Sequence, residues 1–420
     1  MSLSTESNSA STNVKPIAVV IVSAARTPLG GFQGELSAVS ATELGSVAIK
    51  AVVERVTEAS GSENIMNNID EVLMGNVLSA GLGQAPARQA ALGAGLPTST
   101  PCTTISKVCG SGMKAVMLAF DQIKSGSIEV AIAGGMENMS KAPYLLPAAR
   151  SGQRLGHGEM LDHMFCDGLQ NAYDGKLMGC FADVNASEDG ITREQMDDYA
   201  IESLRCAKQA IENGYFSAEI APVTVKSRKA EVVIDTDEQP PKAKPEKIPT
   251  LRPAFAKDGL VTAANASSIS DGAAALMIMS HEKAKALGLT PLAIIKAHVT
   301  HAEAPEKYTH APIGAIKKLM EKAQWSLDDV DLFEVNEAFA MVAIAARQQL
   351  QLSSEKMNIN GGALALGHPI GASGARIMVT LLHALQRTGK TKGVASLCIG
   401  GGEATAIAIE IVPESLPASI

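Results

Sequence analysis

Apolar positions along the chain alternate between unbroken runs and helical repeats. "PIAVVIVSAAR" (16–26) is a continuous apolar stretch with β-branched residues, the pattern of a strand buried on both faces. "SATELGSVAIKAVVERV" then carries helical spacing, and "IDEVLMGNVLSAG" reads as a strand passing into a loop. "PARQAALGAG" is helical, "TPCTTISKV" a strand, and "GSGMKAVMLAFDQIKSG" a helix ended by Gly126. "EVAIAGGMENMS" is another buried strand running into a glycine turn. Strands alternating with helices predict an α/β protein with a largely parallel, layered sheet.

The same order returns later in the chain. "PLAIIKAHVT" (291–300) answers the first strand, and "VDLFEVNEA" (330–338) answers "IDEVLMGNV" (69–77). "GASGARIMVTLLHAL" (371–385) answers "CGSGMKAVMLAF" (109–120), with Ser373-Gly374 set against Ser111-Gly112. "LCIGGGEA" (397–404) answers "AIAGGMEN" (131–138). Four matches in one order indicate an internal duplication of a unit of roughly 120 residues. Between the repeats, 139–267 differs in character, with "PAARSGQRLGHGEM", a helical stretch and the Pro/Lys-rich "DEQPPKAKPEKIPTLRP". A polar insertion on a repeated core is a natural home for ligand-binding loops.

Composition narrows the function. The 420 residues are 46% hydrophobic, only 3% aromatic and hold 37 glycines, which suits an aliphatic α/β core with tight turns. A formal charge of −8 argues against a nucleic-acid or acidic-membrane partner. Local basic groups (Lys226, Arg228 and Lys229; Lys242, Lys244 and Lys247) suit a solvated surface or a phosphorylated ligand. The six cysteines show no C-x-x-C spacing, so a reduced compartment is expected. The Ser-rich opening reads as a disordered tail, and the protein is expected to be cytoplasmic.

Four places carry candidate chemistry. Cys109 lies between a strand and a helix, where unpaired N–H groups and the helix dipole favour a thiolate, with Gly110 and Gly112 leaving space beside the sulfur. A small buried apolar thiol is the competing reading. His368 stands in a Gly-rich loop, and the duplication sets it just before Gly371, the counterpart of Cys109. Cys398 ends a buried strand at a turn of three glycines whose N–H groups can form an oxyanion hole; a core cysteine is the alternative. Asn336 and Glu337 follow the strand "DLFEV", where Asn336 is either a helix cap or a site residue. Two thiols, an imidazole and an amide converging from two halves suit acyl transfer. No metal-ligand spacing or phosphate loop competes with them.

"VCGSGMKA", "NEAFA", "NGGALALGHPIGASGAR" and "CIGGGEA" together resemble the thiolase family, from about Pro16 to Val412. The resemblance implies two βαβαβαββ halves in a five-layer α-β-α-β-α arrangement. The N-terminal half would be 16–138 with 268–288 and the C-terminal half 289–420, following a disordered tail over 1–15. An inserted loop domain, 139–267, would serve coenzyme A binding and oligomerisation. It implies a homo-oligomer, dimer or tetramer, with coenzyme A as substrate and no other cofactor or metal. The implied reaction is the reversible condensation of two acetyl-CoA to acetoacetyl-CoA and CoA. Cys109 would be the acylated nucleophile and Cys398 the acid/base. His368 and a water held by Asn336 would bind the thioester oxygen, and the N–H groups of Cys109 and Gly400 would form a second oxyanion hole. Ser267 matches the residue that contacts the pantetheine arm, while Met178, Phe255 and Phe339 match the acyl-pocket lining. Leu177 departs from the His that short-chain members commonly carry, which leaves a broad-range 3-ketoacyl-CoA thiolase as the alternative. Leu204 stands where a potassium-activated member has Tyr, so strong potassium activation is not expected. A non-catalytic acyl-CoA-binding protein is the remaining alternative, and decay of these residues would mark it.

Overall fold

The computed structural model describes residues 17–61, 65–226 and 230–412; the expected tail, with Arg228 and Lys229, lies outside them. Nine strands make the frame: β1 (Val19–Arg26), β2 (Glu71–Gly75), β3 (Cys102–Ile105), β4 (Val130–Asn138), β5 (Ser270–Ser280), β6 (Ala293–Ala302), β7 (Leu332–Val335), β8 (Lys392–Ile399) and β9 (Glu403–Ile411). They run β7-β8-β9-β6-β1-β5-β4-β2-β3 across the sheet, with Gly30–Gly31 added against β5. Read outward from the β1–β6 seam, the two halves match. β1-β5-β4-β2-β3 corresponds to β6-β9-β8-β7 plus a single bridge from Phe333 to Met357. The seam itself is narrow, pairing Val20 with Ile294 and Ile21 with Ala293.

The sheet is mixed, which corrects the expectation of a largely parallel one. Only β2–β3, β2–β4 and β7–β8 run parallel. Parallel neighbours need a crossover helix, as between β2 and β3. β8 and β9 are joined instead by the short turn Gly400–Gly402, which permits only an antiparallel pair. β5 re-enters antiparallel between β1 and β4 after the insertion.

Helices fill three layers. α1 (Ala41–Ser60) begins with a capping box in which Ser40 and Glu43 satisfy each other's backbone N–H, and ends at Gly61 with φ +63°. It covers the outer face of the first half, packing Leu44, Ile49 and Val52 on Val20 and Met277, while α2 (Pro86–Gly93) adds Ala87 and Ala90. α6 (Ala311–Ala323) and α7 (Ala340–Gln349) cover the other outer face with Ile316, Leu319 and Met341 on Phe333. Between the two halves of the sheet lie α3 (Ser111–Lys124) and α8 (Ile370–Thr388), whose Met113, Met117, Ile377 and Leu381 meet Ile21, Ala133, Leu397 and Ile407. Strands such as β5 therefore bury both faces, as their unbroken apolar runs required.

The insertion carries α4 (Met178–Glu188) and α5 (Arg193–Glu212), the latter capped by Thr192 and Gln195. A buried ion triad ties the segment after α5 to β1. Arg26 reaches Glu219 at 2.5 Å and Asp237 at 2.7 Å, and all three are fully buried.

The start of each central helix touches the other at backbone distance. A Cβ at Gly112 would lie 2.9 Å from the Ala375 nitrogen, and one at Gly374 would lie 2.5 Å from the Met113 nitrogen. A Cβ at Gly135 would fall 2.1 Å from the Gly371 carbonyl oxygen, so backbone would have to move. Gly135→Ala is expected to cost about 1–3 kcal/mol, readable as a lower urea midpoint; an unchanged midpoint would show that this crossing is not rigid.

Candidate active site

Cys109 sits in the turn that leads into α3. The preceding Val108 holds φ +45°, a strained value for a β-branched residue. Ser111 fixes the turn: its hydroxyl accepts from the Lys107 N–H and donates to the Val108 carbonyl, both at 2.7 Å. The backbone N–H groups of Gly400 and of Cys109 itself face the sulfur closely enough to lower its pKa. Those contacts favour a thiolate, yet burial outweighs them and pushes the thiol up to about 11, with the Glu137 carboxyl adding to the shift. The expectation of a thiol lowered by the helix start is therefore corrected. The glycines are corrected too: Gly110 faces Ile399 and Gly112 faces α8, so their missing side chains make room for protein and not for substrate.

His368 precedes α8 and is buried. Its Nδ1 lies 2.6 Å from the Ser373 hydroxyl, which itself donates to the Pro369 carbonyl at 2.9 Å. With that hydrogen committed, Ser373 accepts, so Nδ1 carries the proton and Nε2 presents a lone pair. Nε2 has no partner within the described chain. Burial, then the Arg376 charge, pushes the imidazole down to about 3, so it is neutral at physiological pH.

Cys398 closes β8 and is 1% exposed. Burial, and then the nearby Cys109, holds its thiol well above the usual range. Gly401 and Gly402 follow with φ +92° and +89°, giving the turn its left-handed path.

These groups share one cleft of about 470 Å3, lined by Cys109, His368, Cys398 and Gly400 together with Ser267, Met178, Phe255 and Phe339. Leu177 is also on its wall. Phe339 meets Phe255 edge to face at 6.3 Å. Asn336 is not on the wall. It lies buried at the end of β7, its N–H on the Ser396 carbonyl at 2.9 Å, and its carboxamide makes no hydrogen bond within the described chain. It does not cap α7, whose N-cap is Phe339. Glu337 is buried elsewhere, held by Tyr199 at 2.9 Å, Ser203 at 2.6 Å and Asn358 at 3.0 Å. Leu204 packs with Phe216 and Ile248, away from this cleft.

Three residues escaped the reading of the sequence. Ser373 seats the imidazole, and its repeat partner Ser111 was its only signal. Glu137 clamps the start of α8, accepting from Gly371 and Val77 at 3.0 Å and from Leu78 at 3.1 Å. Burial raises that carboxyl to about 7. Tyr308 lines the cleft and donates its hydroxyl proton to the Met178 carbonyl at 3.0 Å. Nothing in its local sequence announces this.

A second cleft of about 400 Å3 adjoins the first, sharing Gln239, Ala263 and Ser268, and is lined by Lys242, Lys244 and Lys247. Among the described residues no His, Cys, Asp and Glu side chains group as metal ligands, and no helix is long and apolar enough to cross a membrane.

A duplicated, layered α/β core with two thiols and an imidazole on one apolar cleft fits the class of proteins that handle acyl thioesters. The chain belongs to the thiolase family: residues 19–282 match the thiolase N-terminal domain and 289–411 the thiolase C-terminal domain. It is 52% identical to the acetyl-CoA acetyltransferase of Escherichia coli over 393 residues, 93% of this chain and 98% of that one. Identity to the acetyl-CoA acetyltransferase of Cupriavidus necator is 50%, over 93% of this chain and 99% of that one. The crystal structure of the Bacillus anthracis acetyl-CoA acetyltransferase superposes with a TM-score of 0.90 at 44% identity, covering 94% and 99% of the two chains. That of the Acat5 thiolase from Ascaris suum in complex with coenzyme A gives 0.88 at 41%, covering 94% and 100%.

The raised thiol has a direct readout. At pH 7 Cys109 holds its proton, so its alkylation by iodoacetamide is expected to be slow and to climb about tenfold per pH unit through pH 8–10. Peptide mapping by mass spectrometry reads this, and a rate already flat above pH 8 would contradict it.

Proposed function

We propose that the protein is an acetyl-CoA C-acetyltransferase, condensing two acetyl-CoA to acetoacetyl-CoA and CoA through an acetyl-cysteine, and running the thiolysis in reverse. The observation that carries this reading is the meeting on one apolar cleft of two thiols, Cys109 partly exposed and Cys398 buried, with an imidazole whose Nε2 has no partner within the described chain. In the first half-reaction His368 Nε2 takes the Cys109 proton as the thiolate attacks the acetyl carbonyl. The N–H groups of Cys109 and Gly400 favour the developing oxyanion. CoA leaves as a thiolate and takes a proton from Cys398, while His368 keeps the proton it took from Cys109 and offers it as a hydrogen-bond donor to the next oxyanion. Burial, and then the nearby Cys109, holds the Cys398 thiol high, so it gives up its proton only to a base as strong as the departing CoA thiolate.

In the second half-reaction the Cys398 thiolate takes the α-proton of a second acetyl-CoA. A thiol held high when neutral is a strong base when ionised, which suits a weakly acidic C–H. The enolate oxygen is met by protonated His368 and by a water on Asn336, whose unpartnered carboxamide supports that role. The carbanion attacks acetyl-Cys109, acetoacetyl-CoA forms, and Cys109 leaves as a thiolate. Burial and Arg376 both disfavour an imidazolium, so His368 gives its proton back readily.

We assign the pantetheine arm to the wall at Ser267 and the coenzyme's phosphates to the adjoining cleft with its three lysines. Residues 139–267 would then supply the coenzyme's loop domain between the N-terminal half (16–138, 268–288) and the C-terminal half (289–420). We place the protein in the cytoplasm, in lipid metabolism, as a homotetramer or dimer.

CoA-dependent cleavage of acetoacetyl-CoA beside 3-ketodecanoyl-CoA tests the reading. Cleavage confined to acetoacetyl-CoA is expected, and cleavage of both would move the protein to the broad-range degradative class. Cys109→Ser is expected to lose at least about 10³-fold in turnover. Cys398→Ala should still accept an acetyl group on Cys109, seen as a mass increase, while its condensation rate falls about 10²–10⁴-fold. An unchanged condensation rate would place Cys398 outside the proton transfer.

A further inference from the structure

Resting on the acyl-transfer reading above, we propose that Tyr308 fixes the depth of the acyl pocket and so sets the longest acyl group that the cleft accepts. Tyr308 stands on the cleft wall yet is only 2% exposed. Its hydroxyl donates to the Met178 carbonyl at 3.0 Å, and its ring meets Phe339 edge to face with centroids 6.5 Å apart. Burial, and then the nearness of both reactive thiols, holds the phenol proton in place.

The short segment bearing the ring is fastened at each end. On one side the Glu303 N–H donates to the Gly402 carbonyl at 2.7 Å, next to the turn that follows Cys398. Gly402 itself packs so closely that a Cβ there would lie 2.5 Å from the Glu303 oxygen. On the other side α4 grips the segment: the Asn185 amide donates to the Glu306 carbonyl and to the Thr309 hydroxyl, both at 2.8 Å. His310 Nε2 lies 2.7 Å from Asp189, and Lys307 pairs with Glu188. The ring therefore cannot retreat with its backbone. Nor can it rotate alone without stranding a buried hydroxyl. A longer acyl chain meets a fixed wall, and one excess methylene against such a wall is worth about 10- to 200-fold in kcat/KM.

The test compares wild type, Tyr308→Phe and Tyr308→Ala for cleavage of acetoacetyl-CoA and 3-ketohexanoyl-CoA. Removing the ring is expected to raise the six-carbon to four-carbon ratio of kcat/KM by about tenfold or more. Keeping the ring but losing its tether should raise the ratio by a smaller factor. A Tyr308→Ala protein with a cooperative melting transition and the wild-type ratio overturns the inference. If that variant does not fold, the Phe variant decides: an unchanged ratio overturns it and a raised one supports it. Wild-type protein that cleaves neither substrate overturns the acyl-transfer reading, and this inference with it.

Discussion

Backbone contact between the starts of the two central helices is the constraint on which everything else depends. Cys109 precedes one helix and His368 the other, and the two come from halves separated by more than 250 positions in the chain. Only glycine at 112, 135 and 374 lets the segments approach this closely. The Glu137 carboxylate then locks the arrangement, reaching from the first half to the Gly371 N–H in the first turn of α8. A carboxylate at a helix start is favoured by the dipole, and here it also satisfies a donor that no helical carbonyl can reach. Separation of the helix starts by a single methyl group would move thiol and imidazole apart.

The molecule holds several charges in its interior, and they divide by what surrounds them. Arg26 is matched on both sides by Glu219 and Asp237, so the triad binds the insertion to β1 with its hydrogen bonds filled. Arg376 is different: its three guanidinium nitrogens make no hydrogen bond within the described chain, and Glu334 approaches only to 3.8 Å. That under-neutralised cation bears on His368 two turns earlier and disfavours its protonated form. An incompletely paired buried charge costs stability. In this position it adds to burial in keeping the imidazole neutral.

Much of this was legible in the sequence, because repeated motifs and glycine-rich turns are local. The duplication, the strand and helix order, and the gathering of Cys109, His368 and Cys398 all follow from short segments whose spacing survives in three dimensions. What the sequence could not carry was the balance of opposed tertiary effects. A helix start argued for a lowered Cys109 thiol, but the depth of burial that reverses the sign belongs to the assembled cleft. Strand direction was misjudged because a three-residue turn and a long insertion both return the chain antiparallel, while the apolar pattern of a doubly buried strand is blind to direction. Tyr308 was invisible for a related reason: its partner, Met178, is 130 residues away.

The two serines at equivalent places, Ser111 and Ser373, show how far the halves have parted. Each donates its hydroxyl proton to a carbonyl just before its helix, at 2.7 Å and 2.9 Å. The lone pairs left over serve different ends, one bracing the backbone at Lys107 and the other orienting an imidazole. Where the first half has Cys109 the second has Gly371, whose N–H is already taken by Glu137. The pseudo-symmetry of the fold is thus broken in its contents. Two near-identical frames meet at one cleft, and only the first places a thiol at the start of its central helix, where the second has a glycine.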